Sequence, residues 1–271
     1  MARLISVITV NRNDAAGLRA TAQSVATQAR LPNEWLVVDG GSTDGSLEVI
    51  RHFERWITFW SSAPDGGVYD AMNQGLRRAR GRYVIFMNGG DAFARPDSLA
   101  RIAGVLESCP DVDLLFGGTI LALPSGRRIY RPPHPAARLP YGLPAYHQAT
   151  AIRRTAHLMA PYDLALPISA EYGSIATLIS RGATSVRFDQ PIAIRACHRD
   201  SLSERATLQR FADFVAVQRQ VLGLSPLALA GHLARLAAVH LAYRMARDAR
   251  APAHGNGEEY PLHNQHVTKI H

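Results

Sequence analysis

Trp35-Leu36-Val37-Val38-Asp39-Gly40-Gly41-Ser42-Thr43-Asp44-Gly45-Ser46 is the stretch that decides the fold. Four apolar residues in a row, with no polar alternation, describe a strand buried on both faces, the condition of a parallel sheet. The run stops on a carboxylate and two glycines. Asp44 then caps a helix reaching about Phe53. In an open α/β sheet a turn of this kind lies outside the carboxyl end of its strand, where ligands bind.

The same unit recurs on either side. Leu4–Val10 is a continuous apolar run that ends in Thr9-Val10-Asn11-Arg12-Asn13. Asn13 or Asp14 caps the helix behind it, where Leu18, Ala22, Val25 and Ala29 share a face and Pro32 is the stop. Ile57–Trp60 leads to Pro64-Asp65-Gly66-Gly67, then a helix from about Val68 to Ala79 with Gly81 as its C-cap. Tyr83–Met87 ends in Asn88-Gly89-Gly90-Asp91; Pro96, Asp97 and Ser98 open a helix to about Ser108, and Leu114–Phe116 is a fifth strand. The expected class is α/β, a mostly parallel open sheet flanked by helices. One polar strand end would be a helix cap; four on one rim mark a binding crevice. No Gly-x-Gly-x-x-Gly follows the first strand and no P-loop motif occurs, which argues against dinucleotide and P-loop enzymes.

Beyond residue 118 the pattern changes. Thr119–Leu123 and Arg127–Tyr130 read as a hairpin, and residues 131–145, rich in Pro and basic groups, as a mobile loop. A helix over Glu171–Ser180, strands over Ser185–Phe188 and Ile192–Arg195, and amphipathic C-terminal helices over Glu204–Leu222 and Pro226–Arg247 follow. From Ala251 the chain is polar and reads as a disordered tail.

The 271 residues, 47% hydrophobic, suffice for one large domain with a core. The formal charge is +8, nearly all of it arginine, since Lys269 is the only lysine. That balance suits diphosphates, anionic headgroups or nucleic acid, and equally an arginine-rich codon usage. No aromatic-basic nucleic-acid module is visible, so no nucleic-acid partner is expected. Cys109 and Cys197 form no framework, which fits a reducing cytosol. Neither a signal peptide nor a spanning helix is read, so the expected place is the cytoplasm, or the inner face of the membrane if the 226–247 helix, basic around an apolar stripe, lies on it. That helix could equally pack on the core or join a homo-oligomer.

Four segments together resemble the family 2 glycosyltransferases of GT-A fold, of the bacterial exopolysaccharide and colanic-acid type. They are Ile5-Ser-Val-Ile-Thr-Val-Asn11, Val38-Asp-Gly-Gly-Ser-Thr-Asp-Gly-Ser46, Pro64-Asp-Gly-Gly-Val-Tyr-Asp-Ala-Met-Asn-Gln-Gly75 and Ala79-Arg-Gly-Arg-Tyr-Val-Ile-Phe-Met-Asn-Gly-Gly-Asp91. The resemblance covers about the first 95 residues and thins beyond them. It implies a nucleotide-diphospho-sugar donor, UDP-linked in the first instance, inverting transfer to a saccharide or lipid-linked acceptor, and a divalent cation, Mn2+ or Mg2+. It divides the chain into a transferase domain (1–203, nucleotide half to 118, acceptor half from 119), helices (204–250) and tail (251–271).

The implied roles are specific. Thr9, Val10 and Asn11 line the nucleotide pocket. Asp39 accepts from the base, or is the Asp of a turn. Asp65 and Gly67 lie by the pyrophosphate or ribose, with Asn88, Gly89 and Gly90 beside them. Asp91 stands where the family carries the last Asp of its Asp-x-Asp metal motif, although Asn88-Gly89-Gly90 replaces the other acidic positions. His198 is a second metal candidate, or a surface His beside Arg199. Glu171 is the candidate base, or a Glu favoured at a helix N-terminus. His147 and Gln148 match a piece beside the acceptor site, or His147 is simply packed. A non-catalytic sugar-nucleotide-binding protein is the rival class. A nucleotidyltransferase ranks below it, because Asn11–Gly17 offers only Arg12 and one glycine.

Overall fold

The computed structural model describes residues 3–197, 207–225, 227–231, 234 and 267–269. The chain alternates β1 (Ile5–Asn11), α1 (Ala15–Ala26), β2 (Glu34–Asp39), α2 (Ser46–Phe53), β3 (Phe59–Ser62), α3 (Val68–Arg78), β4 (Tyr83–Phe86), β5 (Ala92–Phe93) and α4 (Ser98–Ser108). Then come β6 (Leu114–Ala122), β7 (Arg128–Arg131), β8 (Thr150–Arg153), α5 (Arg154–Met159), α6 (Ala170–Ser180), β9 (Ser185–Ala196), α7 (Thr207–Gln220) and β10 (Val267–Lys269). One curled sheet runs β10-β9-β6-β8-β4-β1-β2-β3, with β7 on β6 and β5 on β9. The β4-β1-β2-β3 part is parallel throughout, as is β6 with β9, while β8 enters antiparallel between β4 and β6.

The unbroken apolar strands are explained by what covers them. Val7, Trp35, Val37 and Ile85 pack under α1, α2 and α4 through Leu18, Ile50 and Leu99. Ile8, Leu36, Val38 and Phe86 face α3 and α6 through Met72, Leu76 and Ile175. With both faces covered, every residue of β1 and β2 is buried.

Several local expectations are corrected. α1 stops at Ala26 with Thr27 as its C-cap, well before Pro32, because the Gln28 side chain binds the Ser24 and Arg95 carbonyls and turns the chain. The N-cap of α2 is Gly45; Asp44 stands one residue ahead, accepting from Ser46 N and, across the rim, from Ala15 N at 2.8 Å. Gly81 is no helix cap, since Ala79 ends α3 and the Gly81 N–H donates to Ser6 and Glu34. β6 absorbs both the fifth strand and the first arm of the hairpin, and β9 is one strand rather than two. Register shifts at Gly117 and Gly118, opposite Pro191, absorb the irregularity.

Residues 131–145 are packed on α6 rather than standing clear of the core: a 3-10 turn at Ala136–Tyr141 buries Leu139, whose carbonyl accepts from Tyr172 Oη at 3.0 Å. α7 stacks Phe214 on Tyr172 of α6. The tail expectation is corrected where Val267–Lys269 pair antiparallel with β9. Most of the 226–247 helix lies outside the described residues. No helix among those described is long and apolar enough to cross a membrane.

Candidate active site

The carboxyl ends of β1, β2, β3 and β4 share one rim, and a network centred on Asp39 ties the first three together. Asp39 is 1% exposed. Its carboxylate accepts from Asn11 Nδ2 (3.1 Å), Ser42 Oγ (2.5 Å), Ser42 N (2.8 Å) and Ser62 Oγ (2.7 Å). Burial on its own would raise this carboxyl, but the bonds from Ser42, Ser62 and Asn11 outweigh it and hold the group below its usual range. Asn11 also donates to Ser46 Oγ at 2.9 Å, while its own Oδ1 is buried without a partner. Asp65 caps the Gly67 N–H at 2.9 Å and leans over Gly40, where a Cβ would stand 2.7 Å from Asp65 Oδ2 and push that carboxylate aside.

Two of the expected pocket residues do not reach the rim with their side chains. Thr9 is fully buried and its hydroxyl accepts from the Trp35 indole at 3.0 Å. Val10, 5% exposed, belongs to the core facing α3. Strand alternation sends both side chains into covered faces, so Asn11 alone of the three presents a polar side chain at the strand end.

After β4, the loop Asn88-Gly89-Gly90-Asp91 folds back over β1. The Gly89 N–H donates to Val10 O at 3.0 Å, and a Cβ on Gly89 would lie 2.7 Å from Asn11 Oδ1. Thr21 of α1 fastens the loop by donating to the Asp91 carbonyl at 2.6 Å. Asp91 itself is 7% exposed, and Oδ2 accepts from Gln148 Nε2 at 2.8 Å. Burial pushes its carboxyl up to about 6, against the pull of His147, Gln148 and Arg195, with Glu171 adding to the rise. The side-chain oxygens of Asn88 and Gln148 are buried without partners. The Asp91 carboxylate is a hard-oxygen donor of the kind a small divalent cation takes, but it is the Gln148 amide N–H that faces it. Among the described residues no group of three or more His, Cys, Asp or Glu could hold a metal ion. His198, the second candidate ligand, lies outside the described residues.

His147 and Glu171 close the other side of the rim. Glu171 sits in the first turn of α6, and its Oε1 is 2.7 Å from His147 Nδ1. His147 Nε2 is 3.3 Å from Asn88 Nδ2. One imidazole therefore touches both the β4 loop and the α6 carboxylate. Burial would lower the His147 pKa, but the charge and hydrogen bond of Glu171, with Asp91 behind, raise it above the usual histidine value. The cavity between this pair, Tyr162 and Ile175 is only about 10 Å³, space for a single water.

The structure thus brings Asn11, Asp39, Asp65, Gly67, Asn88, Gly89, Gly90, Asp91, His147, Gln148 and Glu171 to one end of the sheet. Ser42, Ser46, Ser62, Thr21 and Arg195 were not singled out from sequence. Ser42 and Ser46 lie inside the stretch that decided the fold, so their signal was present. Thr21 sits mid-helix and carried none.

A family model described as glycosyl transferase family 2 matches residues 6–157. An uncharacterized glycosyltransferase of Mycobacterium tuberculosis is 40% identical over 114 residues, 42% of this chain. The match spans 44% of that relative's length. Among solved structures, S. aureus TarS 1–349 in complex with UDP-GlcNAc superposes with a TM-score of 0.68 at 15% identity, over 89% of this chain and 73% of that one. Mannosyltransferase PcManGT of Pyrobaculum calidifontis, in complex with GDP-Man and Mn2+, gives 0.63 at 16% identity, over 92% and 80%. At these identities the two structures speak for the fold.

Proposed function

Because the chain belongs to glycosyl transferase family 2, we propose that it transfers a sugar from a nucleotide-diphospho-sugar to an acceptor hydroxyl, with inversion and with Glu171 as the base. The observation that carries this reading is His147, which joins the candidate base to the loop that ends in Asp91. In the proposed step the acceptor oxygen attacks the anomeric carbon, its proton passes to Glu171, and the bond from that carbon to the diphosphate breaks. His147 holds the Glu171 carboxylate against the donor loop, so that base and donor share one geometry. A saccharide or lipid-linked saccharide is the acceptor class.

A divalent cation, Mn2+ or Mg2+, held by Asp91 and by the diphosphate itself, would neutralise charge on the departing diphosphate. Asn11, Asp65 and the backbone at Gly67, Gly89 and Gly90 are the proposed donor contacts. Asp39 already fills its acceptor positions with protein donors, so it shapes the base pocket through Ser42 and Ser62 unless one of those donors yields to a base N–H. A uridine diphosphate sugar is the donor to test first, given the UDP-GlcNAc bound by the TarS fold relative.

Isothermal titration with UDP, GDP and dTDP, each with Mn2+ and with EDTA, tests the reading. One nucleotide should bind in a metal-dependent way, and Asp91→Ala should abolish that dependence. Heat from none of the three would remove the functional half of this proposal.

A further inference from the structure

The opposite end of the sheet holds a second concavity of about 430 Å³, the size of a small-ligand cleft. Arg3 precedes β1, Glu34 opens β2, Arg77 and Arg78 close α3, Arg80 follows them, and Arg154 opens α5. All stand at the amino ends of the parallel strands, about 20 Å from the crevice by the rise of β1. The lining carries five arginines and a single carboxylate.

That carboxylate is already committed. Glu34 pairs with Arg3 and accepts from Ser6 Oγ (2.6 Å), Arg80 N (2.6 Å) and Gly81 N (3.0 Å). The remaining guanidinium groups have donors to spare. Arg154 has its Nε enclosed with no hydrogen-bond partner. The exposed Arg78 lies over the Phe59 ring at 4.4 Å, held at the wall of the groove. A charged donor enclosed without an acceptor is unfavourable, which marks Arg154 as a side chain whose charge is not yet neutralised by the protein. A phosphoryl oxygen in the groove meets guanidinium donors with good geometry, from Arg78 and from the outer nitrogens of Arg154.

We propose that this groove is a second binding site, separate from the crevice, for a phosphorylated anion. Titration of the chain with inorganic pyrophosphate in EDTA, which suppresses cation-assisted diphosphate binding at Asp91, is the direct measurement. Binding is expected in the unaltered chain and in Asp91→Ala, and should weaken by about tenfold or more in Arg78→Glu and in Arg154→Gln. Co-sedimentation with phosphatidylcholine vesicles, with and without phosphatidylglycerol, separates the sources. Sedimentation that needs phosphatidylglycerol and is lost in the same variants identifies a lipid headgroup; pyrophosphate binding without it identifies a soluble phosphate. Arg78 is exposed, so Arg78→Glu tests the groove even where Arg154→Gln perturbs folding, and thermal melts check both. A pyrophosphate site that survives both groove substitutions, or vanishes with Asp91→Ala, overturns the proposal. So does the absence of both pyrophosphate binding and variant-sensitive vesicle binding.

Discussion

Two buried carboxylates end neighbouring parts of the same rim, and the fold treats them in opposite ways. Asp39, at the end of β2, accepts four hydrogen bonds from Asn11, Ser42 and Ser62, and is held ionised despite burial. Asp91, after β4, has the Gln148 amide and a carboxyl pushed up to about 6. Both are nearly excluded from solvent, but Asp91 lies deeper in the protein and has fewer donors, so stronger desolvation and fewer hydrogen bonds together separate them. A satisfied carboxylate organises its surroundings. An under-satisfied one is where the proposed cation would be held.

The largest effect expected from this contrast is at Asp91. Asp91→Asn should cut turnover roughly a thousandfold, because the charge that would hold the cation is gone. The same change should leave the melting temperature equal or higher. A carboxyl raised from 3.8 to about 6 gives stability below its unfolded pKa that is lost as pH rises through the folded value, so at pH 7 the ionised group costs about 3 kcal/mol. An Asp91→Asn protein that melts earlier would show Asp91 to be structural like Asp39, and the contrast would collapse. Glu171→Gln should lower kcat roughly a hundredfold or more while leaving nucleotide titrations unchanged. Equal loss in both readouts would instead assign Glu171 to donor binding.

How much of this was legible beforehand follows the same division. The strands β1, β2 and β4 and their polar ends are readable because each is a buried, mostly apolar run, whereas the half-buried β3 lies at Phe59–Ser62, two residues beyond the expected Ile57–Trp60. Asn11, Asp39 and Asp91 stood at the ends of those runs. β8 and α5 were not read, since Thr150–Arg153 is four residues whose strand character comes from sitting between β4 and β6. Thr9 illustrates the limit from the other side. The motif drew it into the pocket, but its hydroxyl serves Trp35 in the core. The His147–Glu171 contact joins residues far apart in sequence, and only the packing of α6 beside the β4 loop brings them together.

At Asp39 the expected signature is the reverse of that at Asp91. Asp39→Asn replaces acceptor capacity with an amide N–H that faces donors from Ser42 and Ser62. Stability should fall by roughly 3 kcal/mol, with nucleotide affinity falling because the pocket loosens. Chemical denaturation measures the first part. A variant as stable as the parent would mean that the four bonds contribute little net energy, and that Asp39 is free to serve the base directly.

The smallest expected effect at neutral pH lies under the rim, at His157. It is fully buried, both ring nitrogens lack partners, and the ring sits edge-on to Phe86 and Tyr162 at 5.7 and 4.9 Å. Burial pushes its pKa down to about 3. The unfolded chain takes up this proton below about 6.5 and the folded chain does not, so folding loses roughly 1.4 kcal/mol for each pH unit below that value, until about 3. His157→Phe keeps the aromatic contacts without the titration. Between pH 6.5 and 4.5 the variant's melting temperature should fall less steeply than the parent's. Parallel curves would mean that the ring is protonated in the folded protein, and that burial decides even less about a group's charge at this end of the sheet than it does at Asp39.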